Sequence, residues 1–235
     1  MSTLNRILEP EVMDSDLEAQ DYNAMDHSIV NDRFASDLLA AWNEVGPVLA
    51  EDRDADVLDL GTGTAQIPIV LCKKWDACRI MAADAAISML EVARYNIEIA
   101  SMIDRIQLMH VDAKELPYPN QHFDVVMSNS IIHHIPEPKC VLAEAVRVLR
   151  PGGLLFFRDL YRPDSLAELN RLVVAYAGSE NEHSKKMFAE SLHAALSLQE
   201  IRDLVASLGG DPKQVSATSD RHWTWVHWAP FPKSA

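Results

Sequence analysis

The chain has 235 residues, of which 48% are hydrophobic and 24% are charged, and its formal net charge is −14. This composition is typical of a folded globular protein with one domain and excludes a largely disordered chain. No run approaches the roughly 18 consecutive apolar residues of a membrane-spanning helix, and the acidic first residues are not typical of a signal peptide.

The negative charge is concentrated near the start of the chain. Residues 1–56 hold 14 acidic and 3 basic residues, which is 11 of the 14 excess negative charges. No dense basic run is present, so we expect neither a nucleic acid nor a membrane surface as a partner. A small molecule that is neutral or cationic fits this charge better.

The cysteines carry information about the location of the protein. Cys72, Cys78 and Cys140 are an odd number and contain no C-x-x-C pair, which predicts neither a disulfide framework nor a zinc knuckle. We therefore expect a reducing, cytoplasmic location.

The first part of the chain predicts helix. We expect a mobile or weakly helical lead-in over residues 1–20. One helix should follow from Asp21 to Leu49, interrupted by Gly46-Pro47.

From residue 56 to residue 160, short apolar runs alternate with amphipathic segments. The runs that predict strands lie at residues 57–60, 79–84, 106–113, 124–130 and 154–160. The segments that predict helices lie at residues 65–74, 85–100 and 138–150, and Pro151-Gly152-Gly153 is expected to close the last. This alternation predicts an α/β fold, with helices on both faces of a parallel, doubly wound sheet.

The remainder of the chain changes its pattern. Residues 163–208 are predicted to be mostly helical, with a polar break at 178–184 and a helix N-cap at Ser197. Residues 214–228 alternate around a turn near Ser219-Asp220, which predicts a β-hairpin at the sheet edge.

A glycine turn marks the candidate site. Gly61-Thr62-Gly63 lies between the first strand and the next helix, where glycines allow a ligand to approach the backbone. Asp84 ends the second strand, 21 residues after Gly63. A carboxylate at this position can accept hydrogen bonds from the two hydroxyls of a ribose.

Two further residues indicate which ribose ligand to expect. The dinucleotide fingerprint requires a third glycine, and Gln66 stands at that position. Asp59 precedes the turn, and its carboxylate would repel a pyrophosphate but attract an ammonium or sulfonium group. The charge therefore favours S-adenosylmethionine over NAD.

Four stretches in this order resemble the class I S-adenosylmethionine-dependent methyltransferases, nearest to the branch that methylates quinone precursors and other small molecules. They are VLDLGTGTAQIPI, MAADAAISML, VDAKELPYPNQHFDVVMSNSIIHHI and EAVRVLRPGGLLFFRDL. The resemblance covers residues 56–160 and, more loosely, the final hairpin. It implies a Rossmann-like, doubly wound, seven-stranded sheet, mostly parallel, with an antiparallel last strand.

The resemblance also implies site residues and a domain plan. The implied cofactor-binding residues are Asp59, Gly61, Thr62 and Gly63 at the methionine end, Asp84 at the ribose, Ala85 beside the adenine, Asp112 and Ala113 at the adenine amino edge, Asn129 at the amino-acid portion or methyl acceptor, and Tyr22 closing over the donor. Residues 1–50 would form a helical lead-in and cap over the cofactor, and residues 51–235 the methyltransferase domain. A helical insert at about 163–195 would shape the acceptor pocket.

Several groups are candidates for catalysis. His133 and His134 follow the fourth strand, and one of them could act as a base or orient the methyl acceptor. The alternative is that they pack or cap the loop. Asp159 leaves the fifth strand beside Arg158, with which it could instead form a salt bridge. His27 could touch the methyl acceptor, or it could belong to a solvated helix.

Two other features favour structural roles. Trp223 and Trp225 share one strand face, which is more typical of sheet packing than of an aromatic cage. His183 and His193 are ten residues apart, which is not a metal-ligand spacing on one helix face, and we expect no metal.

Tyr161 and Arg162 are further candidates to line the acceptor pocket.

Three other functions remain open at this point. A tRNA or protein methyltransferase is weakened by the lack of a basic surface. An NAD-dependent oxidoreductase is weakened by Asp59 and Gln66. The third is a binding module that keeps the fold without catalysis. The oligomeric state and the atom that is methylated are not predicted.

Overall fold

The computed structural model describes residues 4–12, 14–46 and 53–230. Its helices are α1 (Asp16–Ala24), α2 (Ser28–Val45), α3 (Gln66–Lys74), α4 (Ile87–Ile99), α5 (Pro138–Val148), α6 (Leu166–Ala177), α7 (Glu182–Ala194) and α8 (Leu198–Ser207). Its strands are β1 (Ala55–Leu60), β2 (Cys78–Asp84), β3 (Ile106–His110), β4 (Phe123–Asn129), β5 (Leu149–Leu160), β6 (Val215–Ala217) and β7 (His222–Trp228).

The strands form one seven-stranded sheet in the order β3-β2-β1-β4-β5-β7-β6. The pairs β1–β2, β1–β4 and β2–β3 are parallel, and β6 pairs antiparallel with β7. β7 also runs antiparallel to β5, since Gly152 and Gly153 exchange backbone hydrogen bonds with Ala229. The predicted fold class is confirmed.

The strand order places a switch point between β1 and β4. The chain leaves β1 toward β2 and β3, and then returns to the other side of β1 with β4. Ligands of doubly wound sheets bind at the carboxyl ends of the strands beside such a point. Residues Asp59–Thr64 and Asn129 lie at this edge.

Three predicted elements are wrong in detail. The single helix over residues 21–49 is two helices, because the backbone is extended at Met25, and the Asp26 carboxylate accepts a hydrogen bond from the amide of Ser28. The third strand ends at His110 and stops short of Asp112. Pro151-Gly152-Gly153 lies inside β5, where the glycines pair with β7 and do not end a helix.

The described residues divide into two compact units, and the predicted boundary between residues 50 and 51 lies outside them. The glycine-loop unit comprises the described residues within 12–129, Cys140–Phe157 and 226–230, and the histidine unit comprises residues 4–11, Ser130–Lys139 and Arg158–Trp225. Among the described residues, no helix combines the length and apolar character needed to cross a bilayer.

The core of the glycine-loop unit holds α2 against the sheet. Phe34, Leu38 and Trp42 are buried on one face of α2. Phe34 packs edge-on against Phe156 of β5, with ring centroids 5.1 Å apart. This packing fixes the helix that begins directly after His27.

In the histidine unit, capped helices and an extended N-terminal segment surround a smaller core. Leu160, Leu172 and Leu192 belong to that core. Ser197 forms a capping box with Glu200 at the start of α8, as predicted. Residues 4–11, the N-terminal strap, form neither a helix nor a strand.

The two tryptophans of β7 belong to the packed sheet. Trp223 and Trp225 are 0% and 1% exposed, which supports the packing interpretation over an aromatic cage. The hairpin predicted at residues 214–228 is formed by β6 and β7, with its turn near Ser219.

Candidate functional site

The glycine turn has a backbone that requires its glycines. Gly61 and Gly63 have φ angles of 70° and 54°, in the left-handed region that side chains disfavour. The amides of Gly61 and Thr62 both donate to the Ala83 carbonyl of β2, at 2.9 and 3.0 Å. The turn is thereby held against the neighbouring strand, just before α3 begins at Gln66.

Asp84 is fastened to the same turn. Its Oδ2 accepts a hydrogen bond from the Gly63 amide at 2.8 Å, and its Oδ1 accepts one from the Ala86 amide at 2.9 Å. Burial raises the pKa of Asp84, and these backbone hydrogen bonds oppose the rise. The carboxylate retains lone pairs for further donors, as ribose binding requires.

Asp59 forms an acidic floor beneath the turn. Asp59 is 2% exposed, and this burial raises the pKa of its carboxyl group to about 7. A hydrogen bond with Thr62 lowers the pKa of Asp59, and the nearby Asp84 charge raises it further. A cation in this pocket would therefore be attracted to a carboxylate that titrates near neutral pH.

Tyr22 of α1 covers the turn. A Cβ on Gly63 would lie 3.6 Å from the Tyr22 ring, and the Tyr22 and His27 ring centroids are 4.9 Å apart. The pKa of Tyr22 is raised by burial and then by the charges of Asp84 and Asp59. These observations place Tyr22 and His27 beside the predicted cofactor residues.

A small cavity lies under this cover. Its volume is about 20 Å³, and the lining residues are Tyr22, Asn31, Asp59, Gly61, Thr62, Thr64, Gln66, Ile67 and Asn129. Among the described residues, the buried atoms Thr64 Oγ1 and Asn129 Oδ1 have no hydrogen-bond partner. Oxygen atoms beside a carboxylate suit a ligand that donates hydrogen bonds, such as an ammonium group. The lining of this small cavity therefore suits a positively charged hydrogen-bond donor.

A chain of amide side chains, missed by the sequence analysis, ties the cover to the turn. Asn31 donates to Gln66 at 3.0 Å, and Gln66 donates to Asn23 at 3.4 Å. Asn96 of α4 donates both to Asn23, at 2.8 Å, and to the Thr64 carbonyl, at 2.9 Å. The only sequence signal for this network was Gln66 in place of a third glycine.

The predicted adenine-side residues lie just after the ends of β2 and β3. The Ala85 carbonyl is 3.0 Å from His110 Nε2, and Ala113 is buried. Asp112 is exposed, and its carboxylate accepts a hydrogen bond from the Lys114 amide at 2.9 Å.

In the histidine unit, His133 and Asp159 form a buried pair. His133 Nδ1 lies 2.5 Å from Asp159 Oδ1. Asp159 also accepts hydrogen bonds from the amides of Ile132, His133 and Leu160. Burial lowers the pKa of His133, but the Asp159 charge and hydrogen bond outweigh it and raise the pKa. Burial alone would raise the pKa of Asp159, but the charge and hydrogen bond of His133 have the larger effect. The pKa of Asp159 is therefore lowered. The partner of Asp159 in this pair is His133 and not the adjacent Arg158.

His134 and Glu9 lie on the other side of the His133 ring. His134 Nδ1 is 3.2 Å from Glu9 Oε1, and His133 Nε2 is 3.5 Å from the same oxygen. Burial and the neighbouring His133 lower the pKa of His134 to about 3. Burial raises the pKa of Glu9.

The side chains predicted to line an acceptor pocket have structural partners. Arg162 donates to the Leu4 carbonyl, to the Ala195 carbonyl and, through Nη2, to both Glu200 oxygens at 2.9 Å. Tyr161 donates to the Asp220 carbonyl at 2.9 Å. Arg162 therefore holds the N-terminal strap against the start of α8.

Comparison with known proteins agrees with this geometry. Residues 58–157 match the family model described as a methyltransferase domain. Over 184 residues the chain is 32% identical to the 27-O-demethylrifamycin SV methyltransferase of Amycolatopsis mediterranei, with 76% of this chain and 62% of that protein covered. Over 198 residues it is 25% identical to the ubiquinone/menaquinone biosynthesis C-methyltransferase UbiE of Azotobacter vinelandii, with 79% and 78% covered. The chain thus spans less than two thirds of the rifamycin enzyme.

A solved structure shows the same fold. The SAM-dependent methyltransferase of Aquifex aeolicus superposes with a TM-score of 0.64 at 16% identity, covering 91% of this chain and 98% of that one. At this identity the likeness shows the fold alone.

Proposed function

We propose that the chain is a class I S-adenosylmethionine-dependent methyltransferase that transfers a methyl group from S-adenosylmethionine to a small-molecule acceptor; the match of residues 58–157 to a methyltransferase domain supports this. The observation that carries the proposal is the Asp59 carboxylate beneath the glycine turn, with Asp84 bonded to Gly63 at the next strand end. A phosphate-bridged cofactor would meet repulsion here, whereas a cationic donor is attracted.

Different residues of the chain would bind different parts of S-adenosylmethionine. Asp59, Asn129 and the turn Gly61-Thr62-Gly63 would hold its charged amino-acid end. Asp84 would accept the ribose hydroxyls, and Ala85, Asp112 and Ala113 would border the adenine. Tyr22 would close over the donor, and its position above Gly63 supports this role.

When bound, S-adenosylmethionine supplies a methyl group that is already activated by its sulfonium charge. The protein then has to align the methyl acceptor and exclude water, which supply much of the rate of a displacement. The side chains available for a proton transfer are His27, His133, His134 and Asp159. Their surroundings differ, and the differences assign them different tasks.

His133 and Asp159 are better suited to positioning than to proton transfer. His133 Nδ1 is occupied by Asp159, and Asp159 in turn accepts hydrogen bonds from the backbone of the loop after β4. We therefore propose that this pair shapes the loop. His27, beside Tyr22, is the candidate to contact the methyl acceptor.

The class of methyl acceptor follows from charge and from the relatives. The net charge of −14 disfavours nucleic acids, and the two relatives described above are named for methyl transfer to a rifamycin and in quinone biosynthesis. We propose a small molecule as acceptor and leave open whether oxygen, carbon, nitrogen or sulfur is methylated. The proposed location is cytoplasmic.

A thermal-unfolding panel tests the cofactor. S-adenosylmethionine and S-adenosylhomocysteine should each raise the unfolding midpoint, with about 2.7 kcal/mol of stabilisation at 100 times the dissociation constant. NAD should leave it unchanged. A rise with NAD alone would establish the oxidoreductase alternative, and a salt-sensitive rise with RNA would favour the tRNA methyltransferase.

A further inference from the structure

Three potential metal ligands converge in the histidine unit. Glu9 comes from the N-terminal strap, and His133 and His134 come from the loop after β4. Their ligand atoms, a carboxylate oxygen and two ring nitrogens, all lie within 4.8 Å of one another. We propose that Glu9, His133 and His134 bind one divalent transition-metal ion of the zinc class, which ties the strap to the loop.

The distances suit tetrahedral coordination. Glu9 Oε1 lies 3.2 Å from His134 Nδ1 and 3.5 Å from His133 Nε2. In a tetrahedral zinc site with bonds of about 2.0–2.1 Å, neighbouring ligand atoms are about 3.3 Å apart. Two of the three separations therefore match this spacing, and the third, between the two ring nitrogens, is within 4.8 Å.

Two of the three ligand atoms have no hydrogen-bond partner in the part of the chain that the structure describes. Glu9 Oε1 and His134 Nδ1 are both buried and, among the described residues, neither makes a hydrogen bond. Both atoms can present a lone pair, and two lone pairs that face each other at 3.2 Å are unfavourable without a cation or proton between them. A bound cation would satisfy both atoms at once.

Neighbouring groups orient the ligands as they do in known metal sites. Asp159 binds His133 Nδ1 at 2.5 Å, which directs the opposite nitrogen of the ring toward Glu9. Ser191 donates to the second Glu9 oxygen at 3.3 Å. Metal-binding histidines commonly bond a carboxylate through their other nitrogen, which fixes the ring and strengthens the ligand.

The local charge also accommodates a cation. Glu9 and Asp159 contribute two negative charges, and the facing cation is Arg6, whose guanidinium donates to the carbonyls of His133, Ile135 and Ala194. Glu190 adds a further negative charge near Glu9. Two imidazole nitrogens with one carboxylate prefer zinc or a similar ion over magnesium or calcium, which prefer oxygen ligands.

The sequence predicts no metal because the three ligands do not lie at a recognised metal-ligand spacing in the chain. His133 and His134 are adjacent, which is not a ligand spacing on a helix, and Glu9 lies 124 residues before His133. Only the fold of the strap brings the third ligand to the histidines. The inference goes beyond methyl transfer and does not depend on it.

Calorimetric titration tests the site. The full chain, without a histidine tag and treated with a chelator, would be titrated with Zn²⁺ and separately with Mg²⁺. A Cys140→Ser background removes the exposed thiol, which could bind zinc elsewhere. We expect one Zn²⁺ per chain, no comparable Mg²⁺ binding, and visible absorption from tetrahedral Co²⁺ in the same site.

Variants identify the ligands. Glu9→Gln and His134→Ala should each weaken Zn²⁺ binding at least tenfold and abolish the Co²⁺ spectrum, whereas the exposed His183→Ala should bind as the parent does. Circular dichroism and thermal unfolding without metal confirm that each variant is folded. Absence of stoichiometric Zn²⁺ binding to the parent, or binding that both ligand variants retain, would overturn the proposal.

Discussion

The Gly63 amide donates a hydrogen bond to Asp84 Oδ2 at 2.8 Å, which joins the tip of the glycine turn to the end of the neighbouring strand. The second oxygen of the same carboxylate accepts from Ala86 at the start of α4. One side chain thus orders the turn and presents its remaining lone pairs to a ligand. Loss of its charge should affect both functions.

Asp84→Asn should weaken the binding of S-adenosylhomocysteine by 10- to 100-fold. The amide has one oxygen where the carboxylate has two, so one backbone donor loses a charge-assisted bond, which costs about 1.5–3 kcal/mol. Isothermal titration calorimetry measures the change. The exposed Asp104→Asn is the matched control and should bind as the parent does; equal affinity in all three proteins would contradict the ribose assignment.

Asp59 makes cofactor binding depend on pH. Its pKa is raised to about 7, and the ionised form is the one that attracts a cationic donor. The affinity for S-adenosylmethionine should therefore rise between pH 6 and pH 8, with proton release on binding. Calorimetry in two buffers of different ionisation enthalpy counts the protons, and Asp59→Asn should bind more weakly and lose the rise.

The same residue should lower stability at high pH. Because the folded pKa of Asp59 lies above the unfolded value, its contribution to stability is complete below about pH 4. That contribution is lost as the pH rises to about 7, by roughly 4 kcal/mol in full. Asp59→Asn without ligand should be more stable than the parent at pH 8, and the difference should shrink at pH 5. Urea unfolding at pH 5 and pH 8 measures the difference in the free energy of unfolding. If Asp59→Asn were less stable than the parent at pH 8, the prediction that the buried charge is destabilising would be wrong.

Tyr22 should control the release of the cofactor. Its ring lies against Gly63 and covers a cavity of about 20 Å³, far smaller than the several hundred Å³ of a typical ligand pocket. Tyr22→Ala should increase the dissociation rate constant of S-adenosylhomocysteine at least tenfold in stopped-flow displacement. Tyr22→Phe keeps the ring and should remain within threefold of the parent; a parent-like rate in Tyr22→Ala would show that the ring is not a cover.

Ser197 should contribute to the stability of the protein but not to cofactor binding. Its hydroxyl accepts from the Glu200 amide and completes the capping box of α8. Ser197→Ala should cost about 1 kcal/mol and lower the unfolding midpoint by about 2–4 °C, with cofactor affinity unchanged. Ser207 lies at the other end of the helix, so Ser207→Ala is the control. A cofactor affinity that falls with Ser197→Ala would contradict this separation.

The sequence allowed prediction of the features that depend on local pattern. The proximity of Asp59, Gly63 and Asp84 was predictable because parallel strands end at a common edge of the sheet. Ser197 was found because helix caps have a preferred chemistry. In each case the residue and the structure it specifies are neighbours in the chain.

Contacts between distant segments could not be predicted in this way. Asp14 accepts a hydrogen bond from the Ser88 amide at 3.0 Å and caps α4 from 74 residues away, at a start where Ala86 offers no side-chain cap. Glu9 meets His134 by the same kind of long-range approach. The glycines after Pro151 were predicted to end a helix, and the pairing of β5 with β7 determined their conformation instead.

We propose above all that the acidic floor at the glycine turn selects a cationic methyl donor. The most direct measurement is calorimetric titration of the purified chain with S-adenosylmethionine, S-adenosylhomocysteine and NAD at pH 8. We expect one binding site for each of the first two, tighter than for the same ligands with Asp59→Asn, and no heat with NAD. No heat with either adenosyl compound, or binding of NAD alone, would contradict the claim.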